Sequence, residues 1–223
     1  MKNVELKQNE RIEDLQIGGL GIVQSADEYR FTSDAVLLAN FVRVKRSDTV
    51  ADFGAGSGVI SILLAYKQRP KKVYGVEIQP ALADMASRSV RMNGLDGIIE
   101  IINGDVKKFA EQVDVVVCNP PYRKAGSGQA QEKENLRICR HEISITLDEI
   151  VKCASEVLRH KGKLYLVHQA GRTAEIFQSF SKHGIEPKMI QTVCQKGKAP
   201  DVVLICGIKG AAPELKWLPP LER

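Results

Sequence analysis

Residues Val113 to Tyr122 read VDVVVCNPPY: an apolar, β-branched run that ends in Asn-Pro-Pro-aromatic. The run predicts a buried strand. Pro120 and Pro121 must turn the chain out of the sheet, because proline lacks the N–H of the ladder and fixes φ. Asn119 and Tyr122 are then presented at the strand's carboxyl end, where open α/β sheets place their ligands. These groups suit a planar amine. The Asn119 amide oxygen and the Pro120 carbonyl can accept its two N–H bonds while the Tyr122 ring stacks on its π-face. Taken alone, the same four residues equally describe a rigid strand-ending turn.

A second motif, Val50-Ala51-Asp52-Phe53-Gly54-Ala55-Gly56-Ser57-Gly58, precedes the apolar stretch Val59 to Ala65. A glycine turn between strand and helix lets a ligand approach the backbone, since a Cβ at Gly54 or Gly56 would crowd it and restrict φ. The G-x-G-x-G spacing is neither that of a dinucleotide site nor that of a P-loop. Asp52 would repel a pyrophosphate but suits a ligand carrying an ammonium group. Two further acids stand at predicted strand ends: Glu77 closes VYGVE, and Asp105 follows Ile98 to Asn103. A carboxylate about 20 residues beyond a glycine loop can hold both hydroxyls of a ribose. Asp105 could accept from the exocyclic amine of an adenine. Singly, each acid is equally an ordinary surface residue; their order with the two motifs argues for one site.

This ordered set resembles the S-adenosylmethionine-dependent methyltransferases of the Rossmann-like class, and NPPY at the fourth strand is similar to the branch that methylates planar amino groups. The resemblance spans nearly the whole chain. It implies an α/β fold with a mainly parallel, seven-stranded sheet and an antiparallel C-terminal strand, and S-adenosylmethionine as cofactor, released as S-adenosylhomocysteine. By that likeness Asp34, Asp52, Gly54, Gly56, Gly58, Glu77, Ile78, Asp105 and Asn119 bind the cofactor. Asp52 and the glycines surround its methionine part, Glu77 its ribose and Asp105 its adenine. Asn119, Pro120, Pro121 and Tyr122 face the acceptor as catalytic residues. EDLQ (13–16) followed by FTSDAVLLANFV (31–42) resembles the bacterial group that includes the tRNA1(Val) adenine-N6-methyltransferases. A tRNA partner is implied, with Arg123, Lys124, Arg140 and His141 on the substrate side. Arg140-His141-Glu142 matches an ARHE-like element of that group, with Cys139 in place of the usual small residue.

Other readings stay open. NPPY also serves the amide of a protein glutamine, although enzymes of that kind usually carry a substantial N-terminal helical domain for which Met1 to Val42 leaves no room. Guanine-N2 methylation of ribosomal RNA and adenine methylation of DNA belong to the same class, the latter without a recognisable target-recognition domain. A binder of S-adenosylmethionine or RNA that has lost activity is the noncatalytic alternative, and intact Asp52, Glu77, Asp105 and NPPY speak against it.

The elements that must position these residues follow from length and pattern. At 223 residues and 43% apolar content, the chain accommodates one α/β domain with a full core and short appendages. We divide it into an extension, 1–42, made of a hairpin and a helix, and a methyltransferase domain, 43–223. Apolar runs fall short of the roughly 18 residues of a membrane span, and MKNVELKQNERIEDL has no apolar signal core. A cytoplasmic protein is expected. Five scattered cysteines without a C-x-x-C pair, and four histidines without ligand spacing, predict neither disulfides nor a metal. The net charge of +5 is modest. Between Arg123 and Arg140, however, five basic residues (with Lys133 and Arg137) face two acids, and Lys196 and Lys198 form a second basic loop. A solvated surface and phosphate contacts both explain these runs, and adjacency to the acceptor turn favours phosphate.

Alternation around glycines and a Ser-Ala-Asp-Glu turn predicts a hairpin over Leu15 to Phe31. Thr32-Ser33-Asp34 caps a helix, Ala35 to Val42. Pro80 opens a helix through Met92, with Asn93-Gly94 as a left-handed stop. Helical spacing from Leu147 to Leu158, a strand over Lys163 to Val167, a helix over Arg172 to His183 and an antiparallel pair (Lys188 to Val193, Val202 to Ile208) follow. Strand and helix alternate, which predicts a mainly parallel sheet. The polar stretch Arg123 to Glu142 reads as a substrate-gripping loop.

Overall fold

The computed structural model describes residues 2–26, 28, 32–120 and 145–223. The chain opens with an antiparallel hairpin, β1 (Glu10–Asp14) and β2 (Gly21–Ser25), followed by α1 (Ser33–Phe41). Strands and helices then alternate: β3 (Thr49–Phe53), α2 (Val59–Gln68), β4 (Lys72–Glu77), α3 (Pro80–Met92), β5 (Ile99–Asn103) and β6 (Val113–Cys118). From residue 145 onward come α4 (Leu147–Val157), β7 (Leu158–Gln169), α5 (Thr173–Lys182), β8 (Ile185–Cys194) and β9 (Val202–Lys209). Two-residue strands, β10 (Lys216–Trp217) and β11 (Leu221–Glu222), end it.

The sheet runs β10-β8-β9-β7-β6-β3-β4-β5, with β11 also on β8. Strands β7, β6, β3, β4 and β5 pair in parallel, and β9 runs antiparallel to both β7 and β8. The expected seven strands are therefore present, and β10 and β11 extend the sheet to nine by adding to the free edge of β8. Side-chain alternation sorts the strands into two apolar layers. Val50, Val115, Val117, Tyr165 and Val167 pack with α1 and α2, while Ala51, Phe53, Val116, Leu164 and Leu166 pack with α4 and α5. Each fully buried aliphatic side chain contributes about 1.5–3 kcal/mol, so both layers hold the strand ends rigidly.

Helix α1 begins at Ser33 without a side-chain cap from Thr32, and β7 begins at Leu158, ahead of the expected Lys163; three further boundaries differ from the sequence expectation for physical reasons. The hairpin lies earlier, pairing Glu10 with Ser25 through Asp14 with Gly21, because its reversal uses Gly18 and Gly19 at φ +58 and +66 instead of the Ser-Ala-Asp-Glu segment. At the end of α3 only Gly94 is left-handed (φ +68); Asn93 stays right-handed and clamps the hairpin, accepting from Gly21 N (3.1 Å) and donating to Gly21 O (2.7 Å). Arg172 closes a 3-10 turn, and α5 begins at Thr173. Helix α1 buries Ala35, Leu38, Ala39 and Phe41, leaving Val36 and Leu37 half-buried. Among the described residues no helix is long and apolar enough to cross a membrane, and no cluster of three potential metal ligands occurs.

Candidate active site

The site is built by strand register. Phe53 pairs with Cys118 across β3 and β6, and with Val76 across β3 and β4; Glu77 pairs with Asn103 across β4 and β5. Gly54, Asn119, Glu77 and Asp105 consequently emerge at the carboxyl ends of four adjacent strands. Connections from β3 lead outward to β4 and β5 on one side, and those from β6 lead to β7 on the other. That reversal between β3 and β6 opens the crevice in which doubly wound sheets bind ligands.

The glycine turn is pinned from behind. Gly54 N and Ala55 N both donate to the Val76 carbonyl (2.9 and 3.1 Å). Gly54 and Gly56 carry φ of +72 and +56, and a Cβ built on either would meet nothing within 4 Å. Gly58 differs: a Cβ there would come within 3.3 Å of the Ala86 side chain on α3. Two of the three glycines thus border open space, and the third permits helix packing.

Two carboxylates flank the turn. Asp52 is fully buried, and its Oδ2 accepts from Ser61 N (3.1 Å) and Ser61 Oγ (2.7 Å) on α2. Its Oδ1 has no hydrogen-bond partner among the described residues. Burial pushes the Asp52 carboxyl up to about 7 against the opposing Ser61 bonds, and the Glu77 charge adds a smaller push. Glu77, 4% exposed, accepts from Gly56 N at Oε2 (2.8 Å) and from Gln79 N at Oε1 (2.9 Å). Burial raises its carboxyl above the ordinary value too. A buried polar atom left unmatched costs about 1–3 kcal/mol. A cationic or hydrogen-bond-donating ligand would offset that cost.

Asn103 ties the neighbouring strand ends together, its Nδ2 donating to the carbonyls of Glu77 (2.9 Å) and Ile78 (3.1 Å). Asp105 is half-buried and accepts from Lys107 N (2.9 Å), capping the 3-10 turn Val106–Lys108. Asn119 is half-buried and Pro120 buried where the chain leaves β6. Asp34 stands in the first turn of α1, its carboxylate paired with Arg223 Nη1 (3.1 Å), whose Nη2 also reaches Asp201 (2.5 Å). Pro121, Tyr122, Arg123, Lys124, Arg140 and His141 lie outside the described residues.

Structure therefore gathers Asp52, Gly54, Gly56, Glu77, Ile78, Asp105 and Asn119 at one edge of the sheet. A family model described as the methyltransferase small domain matches residues 21–186, from β2 into β8, and includes every one of these strand ends. The chain belongs to the methyltransferase small domain family. Among its relatives is a tRNA1(Val) (adenine(37)-N6)-methyltransferase of Aliivibrio salmonicida, 26% identical over 170 residues, covering 74% of this chain and 72% of the relative. Another, of the same name from Yersinia pestis, is 33% identical over 146 residues; the match takes in 62% of this chain but only 58% of the relative. A solved structure described as a predicted O-methyltransferase from Agrobacterium tumefaciens superposes with a TM-score of 0.66 at 24% identity, covering 85% of this chain and 86% of that one, a likeness of fold.

Sequence reasoning missed two residues that brace these strand ends. Ser61, which holds Asp52, and Asn103, which joins the strand ends, carry no recognisable motif. For Ser61 a signal exists: it is the one polar residue in Val59 to Ala65, and a hydroxyl inside an apolar helix face needs a partner.

Proposed function

We propose that this protein transfers a methyl group from S-adenosylmethionine to adenine N6 of a tRNA, at the adenosine 3′ of the anticodon in a valine tRNA; both relatives are named tRNA1(Val) (adenine(37)-N6)-methyltransferase. The observation that carries the reading is the level pairing of Phe53 with Cys118, which brings an open glycine turn beside Asn119 and Pro120. The extension 1–42 and the domain 43–223 act together, in the cytoplasm, with tRNA as partner.

The residues fit the cofactor. Space at Gly54 and Gly56 admits a ligand against the backbone, and the unmatched Asp52 Oδ1 suits an ammonium group. S-adenosylmethionine supplies, when bound, a methyl group activated by a sulfonium. Glu77 retains lone pairs for ribose hydroxyls beyond those used by Gly56 and Gln79, since an ionised carboxylate offers about four acceptor sites. Ile78 and Asp105 border the adenine side.

On the acceptor side, adenine N6 is a poor nucleophile because its lone pair is delocalised into the ring. The Asn119 amide oxygen and Pro120 carbonyl accept its two hydrogens, draw them aside and expose the lone pair. The role proposed for Tyr122 is to stack its ring on the base, with Pro121 beside it in the acceptor motif. The surplus proton leaves to solvent after transfer, so no dedicated base is needed. Arg123, Lys124, Arg140 and His141 supply substrate contacts. An unstacked base is required, and a tRNA loop presents one without the few kcal/mol that flipping from a duplex costs.

Radiolabelled methyl transfer into total tRNA, set against peptide and ribosomal RNA, tests this reading, with nucleoside mass spectrometry expected to find N6-methyladenosine. Label in glutamine or in guanine would overturn it. Asn119→Ala should lower turnover by about 10²-fold or more while S-adenosylhomocysteine still binds in calorimetry. Undiminished turnover would refute the role given to Asn119.

A further inference from the structure

The hairpin β1–β2 does more than cover an apolar surface. Its strand β2 is buried at every position, yet carries a glutamine: Gln24 is 2% exposed and its Nε2 donates to Ser57 Oγ at 3.1 Å. Ser57, 5% exposed, stands between Gly56 and Gly58 in the turn that borders the open space. The hairpin that holds Gln24 is itself firmly seated on α3. Arg88 makes a two-pronged pair with Glu10 (both 2.6 Å), Ser89 Oγ accepts from Val23 N (2.8 Å), and Asn93 clamps Gly21. At the hairpin's tip, a Cβ on Gly18 would stand 2.2 Å from the Tyr66 hydroxyl, so the tip lies directly against α2. The hairpin thus braces both helices that flank the glycine turn, and reaches the turn itself through Gln24.

We infer that Gln24 is a positioning residue for cofactor binding: through Ser57 it holds the Gly54–Gly58 turn in the open conformation that accepts S-adenosylmethionine. The inference rests on the proposed use of that turn for the cofactor. A buried amide in an apolar strand is kept only where its hydrogen bonds are met. A turn held by a partner 33 positions away in sequence loses less freedom when ligand arrives.

The test compares wild type with Gln24→Leu, which keeps the volume and removes the amide donor. Affinity for S-adenosylhomocysteine is read by calorimetry, amide exchange of residues 54–58 in the ligand-free protein by mass spectrometry, and the thermal midpoint alongside. We expect affinity to fall about tenfold, the scale of one well-made hydrogen bond, and exchange in the turn to quicken. KM for RNA should stay unchanged. The double variant Gln24→Leu/Ser57→Ala should bind no more weakly than Gln24→Leu alone, because the two residues act as one unit. Should Gln24→Leu fail to fold, Ser57→Ala alone reads the same bond from within the turn. A lowered thermal midpoint with unaltered affinity and exchange would reduce Gln24 to a structural residue and overturn the inference. Wild-type protein that binds no S-adenosylhomocysteine would defeat the cofactor reading and this inference with it, whereas wild-type and variant binding equally would defeat the inference alone.

Discussion

Two pairs of buried residues, one under the hairpin and one at the carboxyl edge of the sheet, carry similar chemistry to opposite ends. Under the hairpin, Glu10 meets Arg88, with side chains 7% and 8% exposed, and Asp84 and the Glu5 carbonyl take up the remaining guanidinium donors. The Arg88 bonds hold the Glu10 carboxyl below its ordinary range. At the carboxyl edge of the sheet, Asp52 and Glu77 are as deeply buried but, among the described residues, accept from hydroxyl and amide donors and no cation, and burial pushes both upward. A buried acid beside a cation holds the fold together. A buried acid without one among the described residues, beside open glycine positions, is where the proposed ligand would bring a charge.

That contrast can be broken at several points. The largest effect is expected from Arg88→Met, which leaves Glu10 buried and unpaired; breaking such a pair costs about 3–5 kcal/mol, read as a lower urea midpoint. A change under about 1 kcal/mol would mean that the hairpin anchor contributes packing and little electrostatic support.

Next comes pH. Glu10, with its lowered folded value, contributes stability that is present above the unfolded carboxylate value of about 4.3 and lost as pH falls through the folded one. Asp52 has the opposite sign. Its folded value of about 7 means that its contribution is full below the unfolded value and is lost as pH rises through about 7, with Glu77 acting in the same direction. The urea midpoint of the ligand-free protein should therefore fall between about pH 4 and 7 and level off above that. Asp52→Asn should remove much of that fall while weakening S-adenosylhomocysteine binding. A wild-type midpoint that climbs over this range would contradict the assignment.

The smallest effect sharpens the comparison from outside. Lys7 reaches the same Asp84 carboxylate at 2.7 Å, but with its side chain 64% exposed. Lys7→Ala should cost under about 1 kcal/mol in the same titration. A loss matching that of Arg88→Met would show that exposure does not set the strength of this network.

Much of the fold could be read without coordinates. Pro80 at the first position of α3, the apolar spacing of α4 and the β8–β9 pair are local patterns, set by proline's missing N–H and by the periods of helix and strand. The hairpin's position was less legible. Glycines and a polar turn sequence competed for its reversal, and the left-handed backbone at Gly18 and Gly19 prevailed. In the site, motif residues announce themselves by chemistry at strand ends, whereas Ser61, Asn103 and Gln24 act through partners that no local pattern specifies.

By itself, then, the sequence determined the order of strands, helices and ligand-facing turns, because each is governed by neighbours a few residues apart. Only tertiary structure decided which acids are matched by cations. Glu10 finds Arg88 across 78 positions, and Asp34 finds Arg223 across 189, while Asp52 finds Ser61 and keeps one oxygen unmet among the described residues. The charge state of a carboxylate is set by burial and by what lies within a few ångströms, and both quantities exist only once the chain has folded.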